Sequence, residues 1–454
     1  MYRRLARHFY GFFDGLKGRR SFECQKSLDK TQFWKKSDLE KLKLFKLRAL
    51  LKYAYENVPY YNQSFKESGV SADDLKSLKD LVKFPVLTKS VIRERLEDIT
   101  AKNFPHSKLI LWKTSGTTAM PVKFYRDRLD LSWAVGAELR GYGWAGYRIG
   151  DKIGRIWSFT PEETKRLSHR LEELFGREKT LNVKSLSERS MGSFAGKMKR
   201  FRPDFIRGYS STTNTFANFL IQNNHDGISP KAVFTSSATL YPHYRKTIEK
   251  VFNCKIYDYY ACSEVSHVAA QCGSSDGLHI SEENVLVETV DSEETVANGE
   301  EGKILLTNLN ARGMPIIRYD VGDVGTMLAD SCSCGRELRL MSVSGRNYEQ
   351  FLHSDGSFTM IKDLKTFFGE MPIVEFQIVQ EDHDTILVRI VPEPEYNESH
   401  TDFIVKNIKL RGPARIRVEL VDSIKLGPSG KIERVVSRFG SRYGYFGREA
   451  PSDS

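Results

Sequence analysis

The amino-acid sequence predicts an α/β protein with a large N-terminal domain of mixed sheets and helices and a small C-terminal α+β domain. The chain has 454 residues, which is more than one ordinary hydrophobic core accommodates. In its middle part, strand-like apolar runs alternate with helix-like segments, as in α/β sheets. After Gly345-Arg346 the pattern restarts as a unit of about 100 residues, a normal domain size. Together these observations indicate two folded domains.

Hydrophobic periodicity locates the elements. Residues 36–57 are predicted to form a helix because their leucines give a broad apolar face, and Pro59 interrupts it by restricting the residue before it. A strand at 109–112 leads into a turn-forming stretch. The other predicted helices cover 211–222, 241–252, 361–369 and 399–409. The other predicted strands cover 232–235, 255–259, 285–287, 304–306, 374–379, 386–391 and 416–420.

These elements group into four parts of the chain. We expect a basic amphipathic N-terminal extension at 1–35, the large domain at 36–344, the small domain at 345–445 and a tail at 446–454.

Composition limits the class of protein. Hydrophobic residues make up 40% and charged residues 28%, the balance of a folded soluble protein. The sequence shows neither an apolar run of about 20 residues nor a signal-peptide pattern, so a cytoplasmic location is expected. The net charge of +11 fits a basic surface, a polyanionic substrate, nucleic acid or an anionic membrane. Without a zinc finger or RNA-binding signature, nucleic acid is disfavoured as a partner.

The N-terminal extension combines an apolar stripe with basic residues. Apolar residues at helical spacing are Leu5, Phe9, Phe12, Phe13 and Leu16, and the basic residues around them are Arg3, Arg4, Arg7, Lys17, Arg19 and Arg20. Such a helix could rest peripherally on the inner face of a membrane. We favour the alternative, in which the stripe packs on the main domain, because such stripes are usually core.

Several short stretches carry groups suited to phosphate chemistry. Thr114 to Lys123 offers hydroxyls and a glycine after a strand, which can donate to phosphate oxygens, although such a loop alone is often only a turn. Glu264 is predicted to follow a strand end, where a carboxylate could hold Mg²⁺ or be merely a solvated loop acid. Asp323 follows a glycine turn and could accept hydrogen bonds from ribose hydroxyls. Gly427 to Arg434 forms a turn that presents Lys431.

The order and spacing of these stretches resemble the adenylate-forming superfamily, and within it the phenylacetate-CoA ligase branch with its CapK-type relatives of capsular polysaccharide biosynthesis. The resemblance extends from about residue 40 to about residue 435 and includes the segment Glu301 to Leu309. It implies that 36–344 is an ATP- and substrate-binding adenylation domain and that 345–445 is a lid. It also implies an enzyme that joins a carboxylate to AMP, releases pyrophosphate and transfers the acyl group to CoA.

The resemblance also implies roles for single residues. The loop over the ATP phosphates would be Ser115, Gly116, Thr117 and Thr118, and the adenine pocket would be lined by Ser237, Ala238 and Thr239, with Asp258 near the adenine amine. Tyr260 would lie near the nucleotide and the acyl group, and Glu264 would bind Mg²⁺. Asp323 would hold the ribose hydroxyls, Arg346 would support the nucleotide, and Lys431 would enter the site during adenylation.

Two positions depart from the family pattern. Ala119 stands where the loop usually has a second glycine, and Tyr348 stands where the hinge aspartate is expected. Because a bulky tyrosine can restrict the domain rotation needed for thioester formation, adenylation is the safer prediction. The acceptor could then be an amine or a hydroxyl in surface-polysaccharide assembly. A non-catalytic scaffold is a third alternative, which the intact motifs argue against.

Four residues predict a structural zinc site. Three thiols and one imidazole are a typical Zn²⁺ ligand set, and they are supplied by Cys272, His279, Cys332 and Cys334. The alternative is unliganded cysteines in a reducing compartment. Cys262 lies inside the proposed magnesium motif, so we expect it to line the substrate pocket.

Overall fold

The computed structural model describes residues 2–114, 122–159, 177–291, 294–329, 331–346, 350–352, 358–360, 364–408, 415–427 and 431–437. Within these ranges the chain forms helices and strands of the predicted mixed α/β class. No helix in the described ranges is both long enough and apolar enough to cross a bilayer.

The described helices begin with an N-terminal group and continue through the crossovers of the sheet. They are α1 (Tyr2–Leu16), α2 (Ser21–Thr31), α3 (Lys36–Asn57), α4 (Pro59–Glu67), α5 (Lys89–Glu94), α6 (Leu96–Ile99), α7 (Arg128–Trp144), α8 (Glu188–Phe201), α9 (Ser210–Gln222), α10 (Pro242–Phe252), α11 (Leu364–Gly369) and α12 (Glu398–Asn407). The predicted helix at 36–57 is confirmed, and α4 starts with Pro59 at its first position, where proline is tolerated.

The described strands fall into one large sheet, one small sheet and two hairpins. They are β1 (Ile110–Lys113), β2 (Lys123–Arg126), β3 (Ile153–Trp157), β4 (Glu178–Asn182), β5 (Phe205–Tyr209), β6 (Ala232–Ser236), β7 (Lys255–Cys262), β8 (Ser266–Gln271), β9 (Leu278–Ile280), β10 (Val285–Asp291), β11 (Glu294–Thr295), β12 (Glu301–Asn308), β13 (Tyr319–Met327), β14 (Leu340–Arg346), β15 (Gln350–Leu352), β16 (Phe358–Met360), β17 (Ile373–Gln380), β18 (Thr385–Pro392), β19 (Arg415–Leu420) and β20 (Val435–Ser437).

The large sheet joins a parallel half to an antiparallel half. Its order over the described residues is β11-β10-β12-β13-β14-β9-β8-β7-β6-β5-β3-β4. The strands from β4 to β7 are parallel neighbours, and α8, α9 and α10 provide the crossovers between them, as parallel strands require. From β7 onward the pairs are antiparallel. The carboxyl ends of β5, β6 and β7 therefore meet at one edge, the usual place for ligand groups in such sheets.

The small sheet has the order β19-β18-β17-β20 and packs against the large one. A single apolar cluster includes Ile248 and Phe252 of α10 together with Phe376 of β17 and Phe368 of α11. The strands of the large sheet end at Arg346, and we retain the division near residue 345 as a proposal. Residues 361–363 of the predicted helix 361–369 lie outside the described residues.

The structure contradicts the preferred interpretation of the N-terminal stripe. The helix α1 does form, but its large apolar side chains are exposed instead of packing on the main domain. Ala6 and Asp14 are the buried residues of this helix. The helix therefore attaches through Ala6, Asp14 and the half-buried Tyr10, whose ring lies 5.4 Å from that of Phe22. The periodicity of its large apolar residues does not indicate this face.

Candidate active site

The candidate site lies at the carboxyl edge of the parallel strands. Strand register places Tyr209 opposite Ser236 and Ser236 opposite Tyr259, so the ends of β5, β6 and β7 form one row. Adjacent strands are about 4.8 Å apart, which brings side chains from the three ends into one small region. The segments that follow these strands carry Ser237 and Glu264.

Glu264 is buried in the turn between β7 and β8. Its carboxylate accepts a hydrogen bond of 2.5 Å from the hydroxyl of Tyr319, the first residue of β13. The interpretation of Glu264 as a solvated loop acid is therefore wrong, because only 4% of the residue is exposed. A buried carboxylate held by one neutral donor is suited to a cation, since burial without compensation of its charge is costly.

Asp323 is joined to the same region by Tyr260. The Tyr260 hydroxyl donates to Asp323 Oδ2 over 2.7 Å, and both residues are buried. Asp323 lies in β13 directly opposite Arg346 of β14 in the strand register. Two tyrosine hydroxyls thus join the segment of Tyr260 and Glu264 to the segment of Tyr319 and Asp323, which is distant in sequence.

The predicted adenine-pocket segment follows β6. Ser237 has a φ of +67°, a left-handed conformation that is uncommon for residues other than glycine. The carbonyl of Ala238 accepts a 2.8 Å hydrogen bond from Ser210 at the start of α9. Asp258 lies within β7 and accepts a 2.8 Å hydrogen bond from Thr235 of β6. The segment containing Ser237, Ala238 and Thr239 is therefore anchored to the neighbouring crossover helix.

Lys431 reaches the same edge from the small domain. Its Nζ lies 5.1 Å from the ring centroid of Tyr209, the last residue of β5, within the range of a cation–π contact. Tyr209 belongs to the row of strand ends formed by β5, β6 and β7, and β7 also carries Tyr260. Lys431 of the small domain thus contacts the carboxyl end of β5 in the large sheet.

A buried polar contact fixes the small domain next to this lysine. The hydroxyl of Tyr244, on α10, donates to both carboxylate oxygens of Glu375 at 2.6 Å. Glu375 is also paired with Arg434, whose guanidinium donates to the carbonyl of Phe376 at 2.6 Å. Sequence reasoning missed this contact, because nothing in the separate segments indicates that Tyr244 and Glu375 meet.

The predicted phosphate loop cannot be described completely. Ser115, Gly116, Thr117 and Thr118 lie outside the described residues, as do Ala119 and the hinge position Tyr348. The described residues on either side of the loop pair with each other, because Thr114 N donates to Val122 O at 3.0 Å and Val122 N donates to Thr114 Oγ1 at 2.9 Å. These two residues lie next to the last pair of the β1–β2 hairpin, Lys113 and Lys123.

Arg126 connects this hairpin to the Glu264 turn. Its buried guanidinium pairs with Asp130 and donates to Ser266 Oγ at 2.6 Å and to Ser263 O at 3.2 Å. Asp130 also accepts a 2.7 Å hydrogen bond from Asn308. Sequence reasoning missed Arg126, although a charged residue that ends a strand just after the loop is a usable signal.

Cys262 lies at the end of β7, beside the carboxylates. Burial raises the pKa of its thiol well above the usual value, and the nearby charge of Glu264 adds to this effect. Because the thiolate is the reactive form of cysteine, these surroundings favour a pocket-lining role over that of a nucleophile.

The four predicted zinc ligands converge elsewhere in the large sheet. The donor atoms of Cys272, His279, Cys332 and Cys334 all lie within 4.8 Å of one another. Cys272 Sγ is 3.5 Å from Cys332 Sγ, and Cys334 Sγ is 3.3 Å from His279 Nε2. Tetrahedral zinc with bonds of about 2.0–2.3 Å requires donor separations of roughly 3.3–3.8 Å.

The orientation of His279 also suits a metal. Its Nδ1 is 3.2 Å from the carbonyl of Leu338, a contact that places the proton on Nδ1 and leaves Nε2 to bind a cation. The four residues bring the β8–β9 turn next to the turn between β13 and β14. Cys262 is not a member of the set.

Comparisons with known proteins agree with this architecture. Residues 351–438 match the family model described as the CapK C-terminal domain. The chain is 24% identical to protein CapK of Staphylococcus aureus over 418 residues, which cover 87% of this chain and 88% of that protein. It is 29% identical to the phenylacetate-coenzyme A ligase of Escherichia coli (strain K12) over 331 residues, 69% of this chain and 72% of that one.

The chain is therefore similar in sequence to CapK and to the phenylacetate-CoA ligases. A solved 2-hydroxyisobutyryl-CoA ligase in the postadenylation state, in complex with 2-HIB-AMP, superimposes on this chain with a TM-score of 0.73 at 20% identity, covering 89% of this chain and 90% of that chain. The same ligase in the thioesterification state gives a TM-score of 0.61 over the same shares. The predicted fold, a large N-terminal and a small C-terminal domain, is confirmed.

Proposed function

We propose that this CapK-type protein is an ATP-dependent adenylate-forming ligase with a carboxylic acid as substrate. A carboxylate oxygen attacks the α-phosphorus of ATP, the new O–P bond forms and pyrophosphate leaves. The thiol of CoA then attacks the acyl carbon, and AMP leaves as the thioester forms. The observations that support the proposal are the buried contacts of Glu264 with Tyr319 and of Asp323 with Tyr260, together with the approach of Lys431 to the end of β5.

The roles of these residues follow from their charges. Glu264 would bind the Mg²⁺ that accompanies ATP, because it is a buried carboxylate with a single neutral donor among its described contacts. Asp323 would accept the ribose hydroxyls in the orientation set by Tyr260. Lys431 would offset the negative charge that develops on the phosphate oxygens, which is electrostatic stabilisation of the transition state.

The remaining predicted roles stay proposals within the same scheme. Ser115, Gly116, Thr117 and Thr118 would cover the phosphates, the segment after β6 would line the adenine, and Arg346 would support the nucleotide. Because the Escherichia coli relative is a phenylacetate-coenzyme A ligase, aryl acids are the first substrates to test.

ATP–pyrophosphate exchange with a panel of carboxylic acids tests the adenylation step. Lys431→Ala should lower the exchange rate by about 10²–10³-fold, the usual effect of removing one well-placed transition-state donor. Lys425→Ala, at an exposed lysine of the same segment, is the matched control and should retain the wild-type rate. Equal rates for the two variants would refute the role of Lys431, and no exchange with any acid would favour a scaffold.

An alternative proposal is that the acyl group is transferred to an acceptor other than CoA. The match to the CapK C-terminal domain and Tyr348 at the hinge position favour transfer to an amine or a hydroxyl, as in surface-polysaccharide assembly. Thioester formation with CoA at a rate equal to pyrophosphate exchange would exclude this alternative. Release of AMP that depends on an amine or a sugar acceptor, and not on CoA, would establish it.

We also propose one structural Zn²⁺ per chain, held by Cys272, His279, Cys332 and Cys334. A closed four-ligand set has no open position for substrate, so the metal would stabilise the two turns that it joins. Protein purified without added zinc should contain about one equivalent by metal analysis. Cys332→Ser should lose the metal and thermal stability, whereas Cys254→Ser, outside the set, should retain both. A metal-free wild type would refute the site.

A further inference from the structure

The helix α1 attaches to the protein by a different face from the one that carries its exposed apolar residues. Asp14 accepts hydrogen bonds from Ser21 N at 2.8 Å, Ser21 Oγ at 3.0 Å and Arg19 at 2.8 Å. A side chain added at Gly11 would lie 3.2 Å from the ring of Phe22, so the helix is closely packed there. Near its start, Arg3 pairs with Asp151 at 2.7 Å. The helix is thus fixed at both ends.

The outward face of α1 is apolar. The exposed fractions are 50% for Leu5, 45% for Phe9, 62% for Phe12, 38% for Phe13 and 66% for Leu16. At 100° per residue these five side chains form a continuous stripe about 100° wide, whose centre lies about 115° from the side that carries Ala6 and Asp14. A helix that buries small residues and exposes large ones is suited to binding something outside the chain.

The charges around this stripe are almost all positive. Residues 2–20 contain six basic residues and one acidic residue, and the acidic one is the buried, hydrogen-bonded Asp14. Lys17 directly follows the last residue of the stripe, Arg4 lies about 80° from its edge, and Arg20 is exposed beyond the end of the helix, where it pairs with Glu23 over 3.9 Å. The outer surface of α1 therefore combines an apolar centre with cationic residues near it.

This surface lies away from the candidate active site. Asp151 immediately precedes β3, so Arg3 holds α1 against the amino ends of the parallel strands. Glu264 and Lys431 lie at the carboxyl ends of the same sheet. A large flat partner on α1 would leave the entrance for small-molecule substrates open.

We propose that α1 is a docking surface for an anionic membrane. The apolar stripe would enter the boundary between headgroups and acyl chains, and the arginines would contact lipid phosphates. A second copy of the chain fits less well, because two α1 helices facing each other would bring their cationic residues together. This inference does not depend on the proposed catalytic activity.

Vesicle sedimentation of the full-length protein tests the proposal. The wild type should bind phosphatidylcholine vesicles that contain about 30 mol% phosphatidylglycerol, and bind pure phosphatidylcholine at least about 10-fold more weakly. Raising the salt from about 0.1 M to about 0.5 M should weaken the binding. Phe12→Ser/Leu16→Ser should reduce the partition coefficient by about 10- to 100-fold, with an unchanged thermal midpoint because both side chains are exposed.

The matched control is Phe403→Ser/Val405→Ser on α12, a similarly exposed apolar pair in the small domain, which should bind vesicles like the wild type. Failure of the wild type to bind the anionic vesicles would overturn the proposal, as would equal binding by the α1 variant. A lipid-free dimer, measured by sedimentation equilibrium and abolished by Phe12→Ser/Leu16→Ser, would assign the surface to a second copy instead.

Discussion

The buried contact of Arg126 leads to a prediction that joins stability to function. In Arg126→Met the Asp130 carboxylate keeps its hydrogen bond from Asn308 but loses its cationic partner, and Ser266 and the carbonyl of Ser263 lose their donor. Breaking one side of a buried ion pair typically costs about 3–5 kcal/mol, because a charge remains buried without compensation. We expect the free energy of unfolding to fall by about that amount.

The same substitution should affect catalysis through the Glu264 turn. Ser263 adjoins Glu264, and Arg126 fixes its carbonyl to the hairpin below the phosphate loop. A displacement of about 1 Å in a catalytic group can lower the rate by up to about 10²-fold. Urea denaturation measures the loss in the free energy of unfolding, and ATP–pyrophosphate exchange measures the loss in catalytic rate.

Two further variants make the experiment decisive. Arg126→Lys retains the charge but not the planar fork, so it should recover part of the stability and less of the exchange rate. Arg389→Met removes an exposed arginine paired with Glu419 at 3.2 Å, and we expect a loss of no more than about 1 kcal/mol. A loss for Arg126→Met as small as that for Arg389→Met would refute the reasoning.

Three other predictions follow from buried groups near the site. Tyr260→Phe removes the hydrogen bond to Asp323, so stability should fall by about 1.5–3 kcal/mol and the KM for ATP should rise; an unchanged KM would separate Asp323 from nucleotide binding. Cys262→Ala should retain exchange activity, because burial raises the pKa of the thiol and keeps it protonated at neutral pH; complete inactivation would point to covalent chemistry. Burial, reinforced by Arg434, lowers the pKa of His243 from 6.5 to about 3, so its stabilising contribution is complete above pH 6.5 and is lost as the pH falls toward 3. Each such histidine changes the unfolding free energy by about 1.4 kcal/mol per pH unit, and His243→Phe should have a shallower decline between pH 6.5 and 5 in urea titrations than the wild type.

Local pattern was enough to predict several of the helices and strands. The helix at 36–57 and the strands at 232–235 and 255–259 follow from periodicity, and the structure contains them with small changes at their ends. The four metal-ligand candidates were found from residue type and spacing in two short turns, and their donor atoms do converge. In these cases the information lies within short segments or in a limited set of residue types.

Features that depend on long-range packing were not predictable in the same way. The contact of Tyr244 with Glu375 joins residues 131 positions apart, and that of Arg126 with Ser266 joins residues 140 positions apart. The α1 stripe was assigned to the core because periodicity shows that a helix has an apolar face but not which face is buried. The buried Asp14, which anchors the helix, is a single polar residue without a pattern of its own.

The arrangement of the small domain bears directly on the choice of acceptor. Glu375 and Arg434 both belong to the small domain, so their ion pair can move as a unit, whereas the hydrogen bonds from Tyr244 cross to the large domain. The ring of Tyr241 also packs on that of Phe376, with centroids 5.3 Å apart. A rotation that withdraws Lys431 must break these cross-domain contacts. The free-energy cost of rotating the small domain therefore includes the loss of the Tyr244 and Tyr241 contacts, in addition to any restriction at the hinge. A low rate of thioester formation can be attributed to Tyr348 only after variants of these two tyrosines have been measured.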